Sequence, residues 1–529
     1  MSSIEHATVL DLAAGGSRDR RAFLRDLSRH ALACALVPSP WRVTRRPRLQ
    51  ESPFTLGVAS GDPTPDACVI WTRLAPRPFE PLGGMRGERV VLRWEVAHDE
   101  GFSRVVDRGQ VACAPELGFS AHVDVRGLDP DRWYFYRFTL PAGSSPVGRL
   151  RTAPSEGAER PLDFAFVSCQ HWEQGHFTAF EHLAREDVSL VAHLGDYIYE
   201  TAAEQGRVRA HHGHEVLTVE EYRTRYAQYK TDPALQAAHA SCPWVVTWDD
   251  HEVDNNYAGL TGENLLESEE QMRLRRAAAY QAWWEHQPVR VPRARSWADL
   301  SITRSVPWGA TANFRVLDTR QFRSDQACGD RIRPVPCGDW TDPSRVMLGD
   351  AQERWLTDAL RGSGAAWEVL AQQVMMAPFD SEPGEVVEVS MDNWSGYPVA
   401  RDRLLGTLAE RPGRTVVLTG DIHASFVNDV RSAFDRHDRP VVATEFAGTS
   451  VSSGGDGSEA WGTFEQLSAD NPHLRWQNNR RGYVRCRVTA REWVSEYRTV
   501  DYVSRPGAPV RTASSWRCEA GRPGVERVG

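Results

Sequence analysis

The sequence predicts an α/β protein whose main domain is preceded by an antiparallel β-sandwich of the fibronectin or immunoglobulin kind, and three observations carry that prediction. Between about residues 53 and 153, short runs alternate apolar and polar residues and are separated by turns. From about 160 to 500 the pattern becomes strand-like apolar runs alternating with amphipathic helical stretches. The chain also has 529 residues, 41% of them hydrophobic and 25% charged, which is more chain than one ordinary domain uses and enough apolar material for sizeable cores.

Residues 1–50 read as a targeting segment or a disordered arm. Arg20-Arg21 and Phe23-Leu24 precede a short apolar stretch, Ala31 to Val37, an arrangement that resembles a twin-arginine export signal and implies the twin-arginine translocase as a partner. Asp19 stands where Ser or Thr is usual. A basic arm retained on the protein is therefore the competing reading, and cytoplasmic residence competes with a secreted, periplasmic or cell-surface location. The sandwich rests on CVIWTRL, VVLRWEV, RVVDRGQVA, SAHVDVRGL, RWYFYRFTL and VGRLRTA, whose period of two fits half-buried strands. LDPDRWY is like the segment ahead of a tyrosine corner and would place Tyr134 and Tyr136 on one face. PSEGAERP, 154–161, reads as a linker.

In the domain over 160–500 the strand-like runs are FAFVS, VSLVAHL, WVVTW, ANFRVL, WEVLAQ, TVVLT and VVATEF. Helical stretches include 175–187, with Phe177, Phe180, Leu183 and Ala184 on one face, and 268–286. A third opens at Asp350, with Asp350 as its cap and Glu353 three residues on. Residues 501–529, rich in Pro, Gly, Ser and Arg, form a tail or a cap.

Composition narrows the chemistry. The 62 basic and 71 acidic residues leave a net charge of −9, so no basic surface for nucleic acid is indicated. No apolar run reaches the roughly 18 residues of a membrane span. Lys230 is the only lysine, which argues against Schiff-base and P-loop mechanisms. The nine cysteines include no CxxC pair; Cys328 and Cys337 flank a Gly- and Pro-containing loop and would suit a loop disulfide in an exported protein.

Four strand-like runs end in metal-ligating residue types: Cys169 and His171 after FAFVS, Asp196 and Tyr199 after VAHLG, Asp249, Asp250 and His251 after WVVTW, and Asp421 and His423 after VVLTG. Ligands bind at the carboxyl ends of strands in open α/β sheets, so four such ends together predict a metal site. Thiolate, phenolate and imidazole suit a redox-capable transition ion, and phenolate with thiolate favours Fe(III). Carboxylates and amides suit Ca²⁺ or another hard cation. Asp196 is the natural bridging carboxylate between two such ions.

The ordered motifs GVASGDP, FVSCQHWEQGHFTAF, AHLGDYIYE, WVVTWDDHEVDNNYAG, FRVLDTRQFRSD, LTGDIHASF and TEFAGTSVSSGG resemble the alkaline phosphatase D (PhoD) family of calcineurin-like metallophosphoesterases, from about Phe54 to Arg498. The resemblance implies a four-layer α/β/β/α metallophosphoesterase domain behind the sandwich, with Fe(III) and Ca²⁺ as cofactors and Zn or Mn as substitutes for iron. It further implies that Cys169, Tyr199 and the bridging Asp196 bind iron, that Asp250 binds the calcium-like ion, and that Asp421 and His423 supply one ligand to each. His251 would act on the leaving-group oxygen, Arg320 would neutralise phosphate, and Asn255 and Asn256 would contact phosphate or calcium. His171 competes with Tyr199 for iron. The implied activity is hydrolysis of a small phosphate ester by attack of a metal-bound hydroxide, with phosphodiesterase or phospholipase D-like hydrolysis, or a dedicated phosphatase of a biosynthetic intermediate, as alternatives.

Overall fold

A computed structural model of the chain describes residues 52–382, 384–460 and 468–529; the twin-arginine-like segment lies outside them. Runs rich in Val, Phe and Trp build two large sheets. In the first, Leu162–Val167, Leu190–His193 and Pro243–Val246 are mutually parallel neighbours. They are buried almost throughout, which is why they read as continuous apolar runs and not as alternating ones. In the second, eight-stranded sheet, Ala312–Val316, Trp367–Ala371, Thr415–Thr419 and Val441–Ala447 form the parallel centre.

The two sheets face each other across a core that includes Phe164, Phe166, Leu194, Phe314, Leu418 and Phe446. Phe164 meets Phe314 edge to face with ring centroids 5.2 Å apart. On the outer side of the first sheet, Phe180, Tyr226, Leu235 and Trp283 from helices Thr178–Leu183, Val219–Lys230, Pro233–Ser241 and Glu269–His286 pack on Val191, Trp244 and Val246. Helices Gly349–Gly362 and Pro398–Leu408 cover the second sheet through Leu356, Leu404 and Leu405 against Leu370 and Val417. The layers thus run α/β/β/α.

The N-terminal sandwich is present, and one of its sheets is shared with the main domain. Val90–Ala97, Val105–Cys113, Trp133–Leu140, Gly143–Ser144 and Gly148–Arg151 form a separate five-stranded sheet. Val58–Gly61, Ala67–Arg73 and Ser120–Arg126 instead extend the first large sheet to ten strands, because Ser60 and Gly61 pair in parallel with Pro243 and Trp244. A side chain at Gly61 would put its Cβ 2.3 Å from the Pro288 carbonyl oxygen, so only glycine permits this junction. Tyr134 and Tyr136 both point into the sandwich core, and the Tyr134 hydroxyl accepts from the Asp129 N–H at 2.9 Å. At the opposite edge of the ten-stranded sheet, Val510–Glu519 and Arg522–Arg527 are two strands formed from the C-terminal residues.

Two local readings change. The helix expected to open on an Asp350 cap begins at Gly349 with Leu348 at the N-cap, and Asp350 sits in its first turn. The stretch 201–241, for which the sequence predicts no helix, contains helices Val219–Lys230 and Pro233–Ser241. The first buries Tyr222, Tyr226, Tyr229, Arg223 and Arg225, a face that carries little aliphatic periodicity.

Trp71 is fully buried between the N-terminal strands and the helices, and its Nε1 donates to the Glu285 carbonyl at 2.8 Å. Trp71→Ala is expected to destabilise the protein by about 3–5 kcal/mol in denaturant titration. Leu266→Ala, at a position 93% exposed, is expected to stay within about 0.5 kcal/mol.

Candidate metal centre

The parallel strands deliver their polar residues to one place by turning sharply as they end. Five residues there have left-handed backbone although none is glycine: φ is 57° at Cys169, 55° at Asp196, 52° at Asn256, 61° at Asp421 and 55° at His423. Each such residue costs of order 1–3 kcal/mol and persists where its surroundings over-determine it. Glu252 supplies much of that determination. Its buried carboxylate accepts from the backbone N–H groups of Tyr197 at 2.6 Å, Asp196 at 3.1 Å and Asp249 at 2.8 Å, which ties two strand ends together. Gln373 ties others, donating to the Trp248 and Leu317 carbonyls at 2.8 Å each and accepting from the Thr319 hydroxyl at 2.7 Å.

Three sets of donor atoms result, each with its members within 4.8 Å of one another: Cys169, Asp196 and His423; Asp196, Asp250 and His251; Asp249, Asp250 and Asp421. Asp196 is common to the first two and Asp250 to the last two. Tyr199 joins the first set because the chain curls after Asp196: its hydroxyl donates to Asp196 Oδ2 at 2.8 Å and lies 3.2 Å from His423 Nε2. The Tyr199 ring is held between His171 and His251, with centroids 4.2 and 4.1 Å away. His251 Nδ1 is 2.7 Å from Glu200 Oε2, and Glu200 Oε1 accepts from the Asn255 N–H at 2.9 Å.

This much acid in one buried place disturbs every protonation equilibrium. Burial, then Asp196, pushes the Cys169 thiol and the Tyr199 phenol well above their ordinary values. Burial raises Asp421 to about 8 against the pull of Arg320, and Glu252 to about 8 with help from Asp196. Asp250 goes the other way: burial raises it, but Arg320 and His251 together hold it below the usual carboxylate range. Burial lowers His251, yet Glu200, Asp250 and Asp196 outweigh it and keep the imidazole well above its ordinary value. Among these groups Asp196 Oδ1, Asp249 Oδ2 and Asp250 Oδ1 are buried oxygens with no hydrogen-bond partner. Buried carboxylate oxygens without partners are unfavourable unless a cation meets them. The residues present therefore fit a pair of cations.

The side-chain partners of Arg320 are all carboxylates. It is wholly buried beneath the carboxylates, where Nε donates to Asp249 Oδ1, Nη1 to both oxygens of Asp392 at 2.8 Å, and Nη2 to Asp421 Oδ1 at 3.2 Å. Its expected part in neutralising phosphate gives way to holding the acidic cluster together. His171 is absent from the donor sets; its Nδ1 accepts from the Glu173 N–H at 3.2 Å and caps a short turn. Asn255 donates its amide to Glu263 at 3.0 Å, while Asn256 gives its N–H to Asp250 Oδ2 at 2.7 Å. Sequence reasoning missed Glu200, Glu252, Asp392 and Ser453 as members of the site. Glu200 and Glu252 lie inside motifs whose other residues stood out, and Ser453 lies in TEFAGTSVSSGG, of which no single residue stood out, whereas nothing local marks Asp392.

A four-layer α/β/β/α fold with donor sets that share a carboxylate defines a metallophosphoesterase. The chain belongs to the PhoD-like phosphatase family: the family's model matches residues 164–497 and that of its N-terminal domain matches residues 40–154. It is 43% identical over 522 residues to alkaline phosphatase D of Bacillus subtilis (strain 168), covering 96% of this chain and 89% of that protein. It superposes on a solved structure of PhoD with a TM-score of 0.89 at 44% identity, covering 92% of this chain and 94% of that one. A purple acid phosphatase from yellow lupin (Lupinus luteus) seeds shares the fold at TM-score 0.52 and 13% identity, over 88% of this chain and 73% of its own. The protein is thus a metal-dependent phosphatase, a hydrolase of phosphoric esters. No helix among the described residues is long and apolar enough to cross a membrane.

Replacing Arg320 by Met would leave the buried Asp249 and Asp392 and the half-buried Asp421 with their shared guanidinium gone. A loss of about 3–5 kcal/mol is expected for an uncompensated buried charge, read by denaturant titration. Arg320→Lys, which keeps the charge but not the fork, is expected to fall between the two.

Proposed function

We propose that the chain hydrolyses small phosphate monoesters at a site holding Fe(III) beside Ca²⁺, and the sharing of Asp196 between two donor sets, with its Oδ1 left without a partner, is the observation that carries this. Cys169, Tyr199, Asp196 and His423 would hold the transition ion, a donor set of thiolate, phenolate and imidazole that favours iron over calcium. Asp250, Asp421 and Asn256 would offer oxygen to the harder ion. When bound, the cations would offset phosphoryl charge and acidify water.

The chain's own residues handle the rest. Glu200 engages His251 Nδ1, which leaves Nε2 as the nitrogen able to deliver a proton to the departing ester oxygen. Tyr199, packed against that imidazole at a tilt of 34°, restricts its rotation. Arg320 keeps Asp421 and Asp249 in place without touching substrate.

The Cys328–Cys337 disulfide, with Cα atoms 6.2 Å apart, supports residence in an oxidising compartment outside the cytosol. The twin-arginine-like segment offers a route there through the twin-arginine translocase.

Asp196→Asn, assayed for bound metal and for hydrolysis of a monoester and a diester, tests the reading: both metal content and turnover should collapse, and full turnover without metal would overturn it. Tyr199→Phe should abolish a visible absorption band of the purified protein, and a colourless active enzyme would reject iron. His251→Gln is expected to lower kcat by about 10²–10⁴-fold with metal content unchanged.

A further inference from the structure

The backbone of Asn256 is pinned on every side. Its N–H donates to Asp250 Oδ2 at 2.7 Å, and its carbonyl accepts from Arg323 Nη2 at 2.7 Å and Gln326 Nε2 at 2.6 Å. Both of those donors also bond Asp392, the acid that grips Arg320. What the backbone leaves open is the rotation of the side-chain amide, which decides whether oxygen or NH₂ faces the site. One contact settles it: Asn256 Nδ2 donates to Asp330 Oδ2 at 2.7 Å. An ionised carboxylate only accepts hydrogen bonds, so the NH₂ must face Asp330 and the amide oxygen must face away from it.

Asp330 stands on the loop closed by the Cys328–Cys337 disulfide. That loop is seated by more than the disulfide. Ile332–Pro334 pairs antiparallel with Glu388–Ser390, Met391 N–H donates to the Arg331 carbonyl at 3.1 Å, and Arg333 Nε donates back to the Cys328 carbonyl at 2.9 Å. Ala327, Val389 and Met391 form a small core against which Cys328 and Cys337 pack. The paired segment continues directly into Asp392. One side of the loop therefore supports the carboxylate beneath Arg320, and the other presents Asp330 to Asn256.

We propose that Asp330, braced by the Cys328–Cys337 disulfide, is a positioning residue that turns the Asn256 amide oxygen toward the calcium position beside Asp250. The assignment rests on the two-cation reading above. It gives the disulfide a part in cation affinity as well as in the stability of a loop. Carboxylates that orient a metal ligand typically change affinity by about 10–100-fold when removed.

The test is equilibrium dialysis of the full chain against calcium, with bound calcium and bound transition metal both measured, for wild type, Asp330→Ala, Asp330→Asn, Asn256→Ala and the double variant Cys328→Ser/Cys337→Ser. Asp330→Ala is expected to raise the half-saturating calcium concentration about 10–100-fold, with the transition-metal stoichiometry and the thermal midpoint without calcium unchanged. Asp330→Asn, whose amide can present either face, should lose less, and the Cys double variant should move in the same direction as Asp330→Ala. Wild-type calcium affinity in Asp330→Ala beside a weakened Asn256→Ala would overturn the role of Asp330 alone. An unaffected Asn256→Ala would overturn this inference while leaving the two-cation reading in place, whereas a wild type that binds no calcium would overturn both.

Discussion

Five carboxylates, those of Asp196, Asp249, Asp250, Asp392 and Asp421, are drawn into one place by strand ends, and the fold around them depends on positive charge placed between them. Two unit charges about 4 Å apart repel by about 4 kcal/mol at an effective dielectric of 20. Arg320 answers this from below with contacts to Asp249, Asp392 and Asp421, and Arg323 adds a second guanidinium to Asp392 through Nη2 at 2.6 Å. The compensation is lopsided. Asp196, bonded to the Tyr199 hydroxyl and to no guanidinium, keeps a buried oxygen without a hydrogen-bond partner, whereas Asp250 Oδ1 has only the Arg320 guanidinium at 3.6 Å. The arginines thus hold the back of the cluster and leave its front to cations, which is how a stable interior and a metal-binding surface share the same aspartates.

The backbone shows the same division of labour. Left-handed conformations at Cys169, Asp196, Asn256, Asp421 and His423 would each relax in a free peptide. They are held by buried acceptors set just behind them. Glu252 collects three N–H groups from two loops, and Glu445 accepts from the Met376 N–H at 2.7 Å and the Ala377 N–H at 3.0 Å on the chain leading toward Asp392. Arg481, also buried, donates to the His423 carbonyl at 2.7 Å. Strain at these residues is therefore offset by hydrogen bonds one layer away.

Much of this was legible in the sequence because the signals are local. Apolar runs ending in Asp, His or Cys mark both the strands and the residues they carry, and the curl from Asp196 to Tyr199 spans only three residues. What escaped depends on distant pairing. Nothing near Ser60 and Gly61 announces that they will pair with Pro243 and Trp244 and merge the sandwich with the main sheet. Asp392 meets Arg320 across 72 residues and Asp330 meets Asn256 across 74, so neither forms a motif. Arg320 was visible as an arginine after a strand, but the two roles open to it, facing a phosphate or facing carboxylates, differ only in which side of the loop is buried.

The cysteines connect site and compartment. Of nine, Cys328 and Cys337 are joined, Cys34 lies outside the described residues, and the remaining six are buried thiols. Burial raises Cys113, Cys242 and Cys518 to about 12, so these thiols stay protonated and chemically quiet. Cys169 is equally inaccessible, at 0% exposure, but it alone faces a set of metal-binding groups. An oxidising environment attacks exposed thiolates first. Burying Cys169, whose thiol donates to the Ser168 hydroxyl at 3.2 Å, while the Cys328–Cys337 disulfide sits on a loop allows a protected thiol and an oxidised loop to coexist in the same molecule.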